Sequence, residues 1–312
     1  MKIFITGGTG CIGQYVSALS AQRGHETLVL SREPNSYAPM AQMENITLVK
    51  GEMADYDLMR QYVAGCDAVI HIALGWGLSP SLMMQNDTAI TANLMEISEK
   101  AGVKKFLYTS SVAAFGHALP DIDETYACMP IDIYGSTKAA SDAYVIGFCK
   151  YYGDADNPEK PVTMKRNVIR PGYTFANPLY PGATVQKDTR FRDIASAVVK
   201  NEPIHLIKHD GTQFMSSEQI AEVYLAIIES DLNEEIFMAL ATNFMTWEQI
   251  ARMTIAEYPE TKAEIVLEDK GWNSSPNLYS VDKIKRTFGL EYDGTEEVKK
   301  HIRFSLEEAM RK

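Results

Sequence analysis

Residues 1–13 read MKIFITGGTGCIG, and this stretch decides the fold. Lys2–Thr6 is a short β-branched and aromatic run of the kind that forms a buried strand. It breaks at once into Gly7, Gly8, Gly10 and Gly13, and the apolar positions Tyr15, Val16 and Leu19 that follow have helical spacing. Glycine allows a tight turn and lets a phosphate approach bare backbone. The N–H groups that open the next helix then face that phosphate, helped by the helix dipole. A glycine triplet alone also occurs in ordinary strand-to-helix turns, but strand, glycines and helix in succession point to dinucleotide binding.

The same alternation continues outward from this turn. Further strands are expected at Glu26–Leu30, Ile46–Val49, Asp67–His71, Lys105–Thr109 and Met164–Ile169. Helices are expected between them at Tyr56–Val63, with Asp55 as cap, and at Thr88–Lys100, ended by Gly102. This pattern implies an α/β fold, a Rossmann-type doubly wound parallel sheet whose ligand lies at the carboxyl ends of the strands. Past Pro171 the elements become shorter and mixed, which suggests a dinucleotide-binding domain over residues 1–172 and a smaller C-terminal substrate-binding lobe over 173–312. Part of 204–230 is expected to pack back onto the first domain.

Composition narrows the partners. The chain has 312 residues, 46% hydrophobic and 23% charged, which is ordinary globular composition with enough length for a large core. A formal net charge of −11, without any basic run, argues against nucleic acid and anionic membrane. Cys11, Cys66, Cys128 and Cys149 are scattered without metal-ligand spacing and read as buried, reduced thiols of a cytoplasmic protein. No apolar run reaches membrane length, and the first strand begins at residue 2, so neither a membrane span nor a signal peptide is expected. No cluster suggests a metal site.

Tyr134 and Lys138 stand four residues apart in YGSTK at the start of an apolar helix, and so share one helical face. A phenol alone is a poor base; an adjacent ammonium is expected to favour the phenolate and lower its pKa. An isolated YxxxK is common by chance, and the same two residues would then be a packing aromatic and a solvated charge. Upstream, the Lys105–Thr109 strand ends in Ser110 and Ser111, either of which could bond a substrate oxygen or simply cap a helix.

Taken in order, these segments resemble the extended short-chain dehydrogenase/reductase family, also called the NAD-dependent epimerase/dehydratase family. Thr6–Gly13 matches its TGxxGxxG turn, Ala68–Ala73 its VIHxA segment, and Phe106–Gly116 its serine strand. Pro120–Glu124 is similar to its P-x-x-E stretch, Ile169–Gly172 to its RPG turn, and 214–230 and 280–290 to its later helical segments. The resemblance implies Ser111, Tyr134 and Lys138 as catalytic residues. Tyr134 would exchange a proton with an alcohol or ketone, Lys138 would hold the nicotinamide ribose, and Ser111 would bond the reacting oxygen. It further implies cofactor contacts from Gly7, Gly10, Cys11, Ile12, Gly13, Ile72, Ala73, Tyr134, Lys138 and Pro171, and a homodimer built through long helices.

Several positions depart from the family pattern. The second strand ends Leu30-Ser31-Arg32 where NAD-preferring members carry an acidic residue, so NADP is favoured over NAD, although Glu33 stands beside Arg32. Glu52 and Met53 occupy the expected adenine contact, with glutamate for aspartate. Asp87 stands where the family usually has asparagine, unless a one-residue shift brings Asn86 there. Gln213-Phe214 falls where nucleotide-sugar members carry an arginine for a diphosphate. Trp76, Ser110, Tyr173, Phe175 and Asn177 are candidate substrate contacts by location, with loop packing as the alternative. His71 and His117 are expected to be structural.

The sequence therefore suggests an NAD(P)-dependent oxidoreductase that interconverts an alcohol and a carbonyl on a small organic substrate. A nucleotide-sugar epimerase or dehydratase with tightly held cofactor is the alternative. A non-catalytic NAD(P)-sensing protein is the third reading, disfavoured by the intact Tyr134/Lys138 pair.

Overall fold

Six strands, β1 (Lys2–Thr6), β2 (Glu26–Ser31), β3 (Ile46–Lys50), β4 (Ala68–His71), β5 (Lys105–Thr109) and β6 (Lys165–Pro171), combine with Glu235–Ala239 into one parallel sheet. Across it the order is Glu235–Ala239, β6, β5, β4, β1, β2, β3. The computed structural model describes residues 1–311 apart from Trp76, Leu78, residues 118–120 and 152–161, Pro181, Thr184, Ser275 and Asn277. Parallel strands covered on both faces are apolar on both faces, and period-two alternation sends neighbours to opposite layers. Ile3 and Ile5 join a core with Val16, Ile220 and Tyr224, whereas Phe4 joins another with Leu28, Leu94 and Phe106. Each such side chain, fully buried, contributes about 1.5–3 kcal/mol.

Helix α1 (Gly13–Gln22) packs with the Ser217–Glu229 helix on the first of these faces. Helices Tyr56–Val63, Ile90–Lys100 and Ile133–Tyr151 pack on the other. Asp55 caps the first of these, accepting from the Leu58 N–H at 3.1 Å. Chain beyond residue 172 contributes more to the sheet layer than the 217–229 helix. Glu235–Ala239 also lies alongside β6, from Glu235 opposite Asn167 to Ala239 opposite Pro171.

Most of the remaining C-terminal elements form a third core around Phe175, Phe191, Phe214, Trp247 and Ile302. Helices Arg190–Lys200, Trp247–Glu257 and Thr295–Met310 surround it, with Ile204–Ile207 paired in parallel to Ile265–Glu268. Among the described residues no helix is long and apolar enough to cross a membrane.

The segment before Ile90 is a correction to the expected helix from Thr88. A short helix at Pro80–Met83, capped by the Ser79 hydroxyl, runs into a π-helical turn over Met84–Ala89 before regular α-helix begins. A π turn holds an extra residue per turn and re-aims the side chains within it. Here it buries Asp87 and Thr88.

β1 pairs with both β2 and β4, so the connection reverses direction across the sheet between β1 and β4. The crevice outside the carboxyl ends of those two strands is the site such a topology offers to a ligand.

Candidate functional site

The glycine turn is shaped by close backbone approach. Gly7 has φ +70°, and a Cβ there would stand 2.5 Å from the Ala73 nitrogen, just after β4. A Cβ on Gly13 would overlap the Gly7 carbonyl oxygen and the Gly8 Cα. The Gly10 N–H donates to the Gly7 carbonyl at 3.0 Å, and the Gln14 N–H to the Gly10 carbonyl at 3.0 Å. No side chain caps the start of α1, and no acidic residue lies in its first turn, so its positive end is left for an anion. Backbone rather than side chains forms this cradle, with Cys11 and Ile12 at its rim. The Cys11 thiol meets the Ser217 hydroxyl at 3.6 Å, and burial raises its pKa. The residues present fit a dinucleotide pyrophosphate.

Around this cradle lie the other strand ends. The Ile72 N–H donates to the Thr6 carbonyl at 3.1 Å, and the Ala73 N–H to the Thr6 hydroxyl at 3.4 Å. His71 is buried between the hydroxyls of Thr6, at 2.6 Å, and Thr91, at 3.0 Å. Burial, with the nearby Lys138 charge, pushes its pKa down to about 3, so it is a neutral tie between strands and helix. At the end of β2 the buried Ser31 hydroxyl accepts from the Glu33 N–H at 3.2 Å. Arg32 is exposed, and no carboxylate among the described residues pairs with it. Glu52 is exposed after β3, and Met53 packs against the core under Phe4.

The helix Ile133–Tyr151 brings Tyr134 and Lys138 to the end of β5. Lys138 is 2% exposed. Its ammonium donates to the Tyr108 hydroxyl and the Thr109 carbonyl, each at 3.1 Å, and lies 5.9 Å from the centre of the Tyr134 ring. Ser111 caps the short helix Val112–Phe115, its oxygen accepting from the Ala113 N–H at 3.2 Å, and its hydroxyl faces the Tyr134 phenol. The expected lowering of the tyrosine pKa is not what this environment gives. Burial raises the Tyr134 pKa, Ser111 opposes it, and Asp87 and Asp132 add to the rise.

Asp87, not Asn86, faces the lysine. It is 1% exposed, and its Oδ2 lies 3.5 Å from the Lys138 Nζ. One turn further along the helix, Asp142 forms a second buried ion pair, accepting from the Arg170 Nε at 2.9 Å. Arg170 also donates to the Cys128 sulfur at 3.2 Å and lies 4.6 Å from the centre of the Phe115 ring. Sequence reasoning passed over Asp142 and read Arg170 only as part of the Ile169–Gly172 turn. The signal was the repeat of four that places Tyr134, Lys138 and Asp142 on one face of an otherwise apolar helix.

The substrate candidates divide. Ser110 is buried, its N–H donating to the Ile169 carbonyl at 2.8 Å. Tyr173 sets its ring edge-on to Phe214 at 4.9 Å, and Phe175 packs on Phe191 and His301. Asn177 bonds His301 Nδ1 through its side chain at 2.7 Å and accepts from the Tyr15 hydroxyl through its carbonyl at 2.9 Å. These contacts tie the lobe to itself and to α1. Trp76 and Pro120 lie outside the described residues. Pro171 is buried opposite Ala239. Gln213 is buried and spent on backbone: its amide donates to the carbonyls of Ala241 at 2.8 Å and Tyr279 at 3.0 Å, and its oxygen accepts from the Tyr279 N–H at 2.8 Å. Among the described residues no cluster of His, Cys, Asp or Glu could hold a metal ion.

Comparison with known proteins bears on the family and the fold. The model of the family described as "NAD dependent epimerase/dehydratase family" matches residues 3–238. A 3-beta-hydroxysteroid dehydrogenase of Mycolicibacterium neoaurum is 28% identical over 159 residues, covering 47% of this chain and 43% of the relative. A dTDP-D-glucose 4,6-dehydratase of Mus musculus is 23% identical over 291 residues, covering 87% and 76%. Among solved structures, a UDP-glucuronic acid 4-epimerase from Bacillus cereus in complex with NAD superposes with a TM-score of 0.78 at 14% identity, covering 99% of both chains. That likeness is one of fold. The alignments span about half the length, or less, of several of the curated relatives matched, 42–51% of each.

Proposed function

Since the chain belongs to the NAD dependent epimerase/dehydratase family, we propose that it is an NAD(P)-dependent oxidoreductase interconverting an alcohol and a carbonyl on a small organic substrate. The observation that carries this reading is the buried Lys138 one helical turn from Tyr134, beside Ser111 at the end of β5. Tyr134 gives a proton to, or takes one from, the substrate oxygen, which Ser111 also bonds. The nicotinamide, when bound, exchanges hydride with the substrate carbon. Backbone of Gly7, Gly10, Cys11, Ile12 and Gly13 holds the pyrophosphate, Ile72, Ala73 and Pro171 border the nicotinamide, and Lys138 holds its ribose. Glu52 and Met53 border the adenine.

Ser31 and Arg32, which pairs with no carboxylate among the described residues, support NADP over NAD, because a guanidinium matches a 2′-phosphate. The hydrogen bonds that commit Gln213 to backbone count against a diphosphate-binding arginine equivalent, and so against a nucleotide sugar as substrate. The test is to denature the purified protein, identify any released dinucleotide by mass spectrometry, then titrate stripped protein with NADPH and NADH. An empty protein that prefers NADPH, and in which Arg32→Ala weakens NADPH roughly tenfold or more while sparing NADH, is the expected result. Near-stoichiometric bound NAD(H), with equal losses in the variant, would favour the epimerase or dehydratase cycle and remove the NADP argument.

A homodimer, in the cytoplasm, is the assembly this reading carries. Exposed Met84, Ile131, Ile133 and Tyr144 support it, together with an apolar groove of about 570 Å³ between the 80–88 segment and the first turns of the Ile133–Tyr151 helix. Light scattering should give twice the 34.8 kDa chain mass; a single-chain mass at micromolar concentration would count it out.

A further inference from the structure

The buried carboxylate beside Lys138 is the feature the proposed chemistry leaves unused. Asp87 reaches this position through the π turn Met84–Ala89. Neither of its oxygens has a hydrogen bond of ordinary geometry, and the Lys138 ammonium stands 3.5 Å from one of them. We propose that Asp87 is a positioning residue that cancels the charge of Lys138 and so keeps Tyr134 in its proton-donating form. The inference rests on Tyr134 being the acid–base group.

Charge balance around the phenol sets its state. Whether the shared proton sits on the lysine or on the carboxyl, the Lys138/Asp87 pair has no net charge. The groups facing Tyr134 from each packed element can be summed in the same way. On its own helix, Asp142 is matched by Arg170 of β6 at 2.9 Å. His71 of β4 is buried and neutral, held between two hydroxyls. Tyr108 of β5 and Tyr224 of the Ser217–Glu229 helix are fully buried phenols. Before the helix stand the Ser111 hydroxyl and the exposed carboxylate of Asp132. Among these groups no cation is left unopposed. With an amide at position 87, Lys138 would face the phenol as a full positive charge, which favours phenolate.

A neutral phenol is the form that donates. In the reductive direction the Tyr134 O–H bond breaks and an O–H bond forms on the substrate oxygen, as the attached carbon receives hydride from the reduced nicotinamide cofactor. The tyrosinate left behind recovers its proton from water. Oxidation of an alcohol starts from the phenolate, so Asp87 moves the pH dependence of that direction upward.

The experiment is an ultraviolet absorbance titration of tyrosinate in cofactor-free protein. The protein has 16 tyrosines, so the matching Tyr134→Phe curve is subtracted in each background to leave the single Tyr134 step. Asp87→Asn should move that step down by about one pH unit, or roughly tenfold more phenolate at a given pH below the midpoint. Asp132→Asn, which removes an exposed charge, should move it far less. If Asp87→Asn does not fold, Asp87→Ser removes the same charge and gives the same readout. A Tyr134 step that stays in place, or rises, when the carboxylate is removed overturns the proposal. Failure of the underlying reading looks different: Tyr134→Phe would then retain full carbonyl-dependent NADPH oxidation, wherever the absorbance step lies.

Discussion

Tyr134→Phe should lower turnover by about 10²–10⁴-fold while leaving dinucleotide affinity within a few-fold of wild type. The substitution removes one oxygen from a ring that keeps its place. Tyr134 is half-buried at the start of a 19-residue helix, its ring 5.9 Å from the Lys138 ammonium. What is lost to folding is at most one polar contact with the Ser111 hydroxyl, about 1 kcal/mol or less. The Lys138 contacts to Tyr108, Thr109 and Asp87 do not pass through the phenol and remain. A large fall in kcat with little change in melting temperature or cofactor Kd is therefore the expected pattern. Stopped-assay kinetics with NADPH or NADH and a carbonyl substrate, beside fluorescence titration of the same protein, separates the two effects. Retained turnover would remove Tyr134 as the acid–base group. Lost turnover together with lost cofactor binding would mean that the ring, not its hydroxyl, was needed.

Most of the sheet was legible because its strands are apolar runs between glycines and caps. Lys2–Thr6 and Lys105–Thr109 fall where their β-branched and aromatic residues end. Helix Tyr56–Val63 starts at its acidic cap, and Ser217–Glu229 starts at a capping box of Ser216 and Gln219. The stretch 80–89 was illegible for a physical reason: a π turn has no apolar period of its own, so nothing in MQNDTA announces it. Ile265–Glu268 was missed because four residues paired at a sheet edge carry too little pattern. In the site, the i,i+4 spacing gave Tyr134 and Lys138 directly. The partners that set their charge state come from other elements, Asp87 at 51 residues' remove and Arg170 at 28 residues from Asp142. Local periodicity has no access to such pairs. Burial, the main cause of the raised Tyr134 pKa, and the Asp87 charge that adds to it are both set by the tertiary fold, so the spacing alone led to the expectation of an acidified tyrosine.

Within the glycine turn, Gly13→Ala and Gly10→Ala should part company. At Gly13 a Cβ overlaps the Gly7 carbonyl oxygen and the Gly8 Cα, all backbone with no rotamer to yield. The start of α1 must then move away from the end of β1, opening the cradle and straining the close approach of Gly7 to Ala73. We expect a loss of about 3 kcal/mol in stability, read as a lower denaturant midpoint at unchanged slope, and dinucleotide binding weakened roughly 100-fold or more. At Gly10 the added methyl has one neighbour within contact range, the Gly7 oxygen at 3.2 Å, a crowding of a few tenths of an ångström against the outright overlap at Gly13. That variant should unfold like wild type. If the pyrophosphate crosses bare backbone here, the same methyl occupies its path, and affinity for NADPH and NADH should fall about tenfold or more with no loss of stability. The contrast assigns the turn's two tasks to different glycines: Gly13 lets the helix approach the strand, and Gly10 lets the ligand approach the helix. Wild-type dinucleotide affinity in both variants would mean that the cofactor does not bind over this turn, and the reading built outward from residues 1–13 would fall with it.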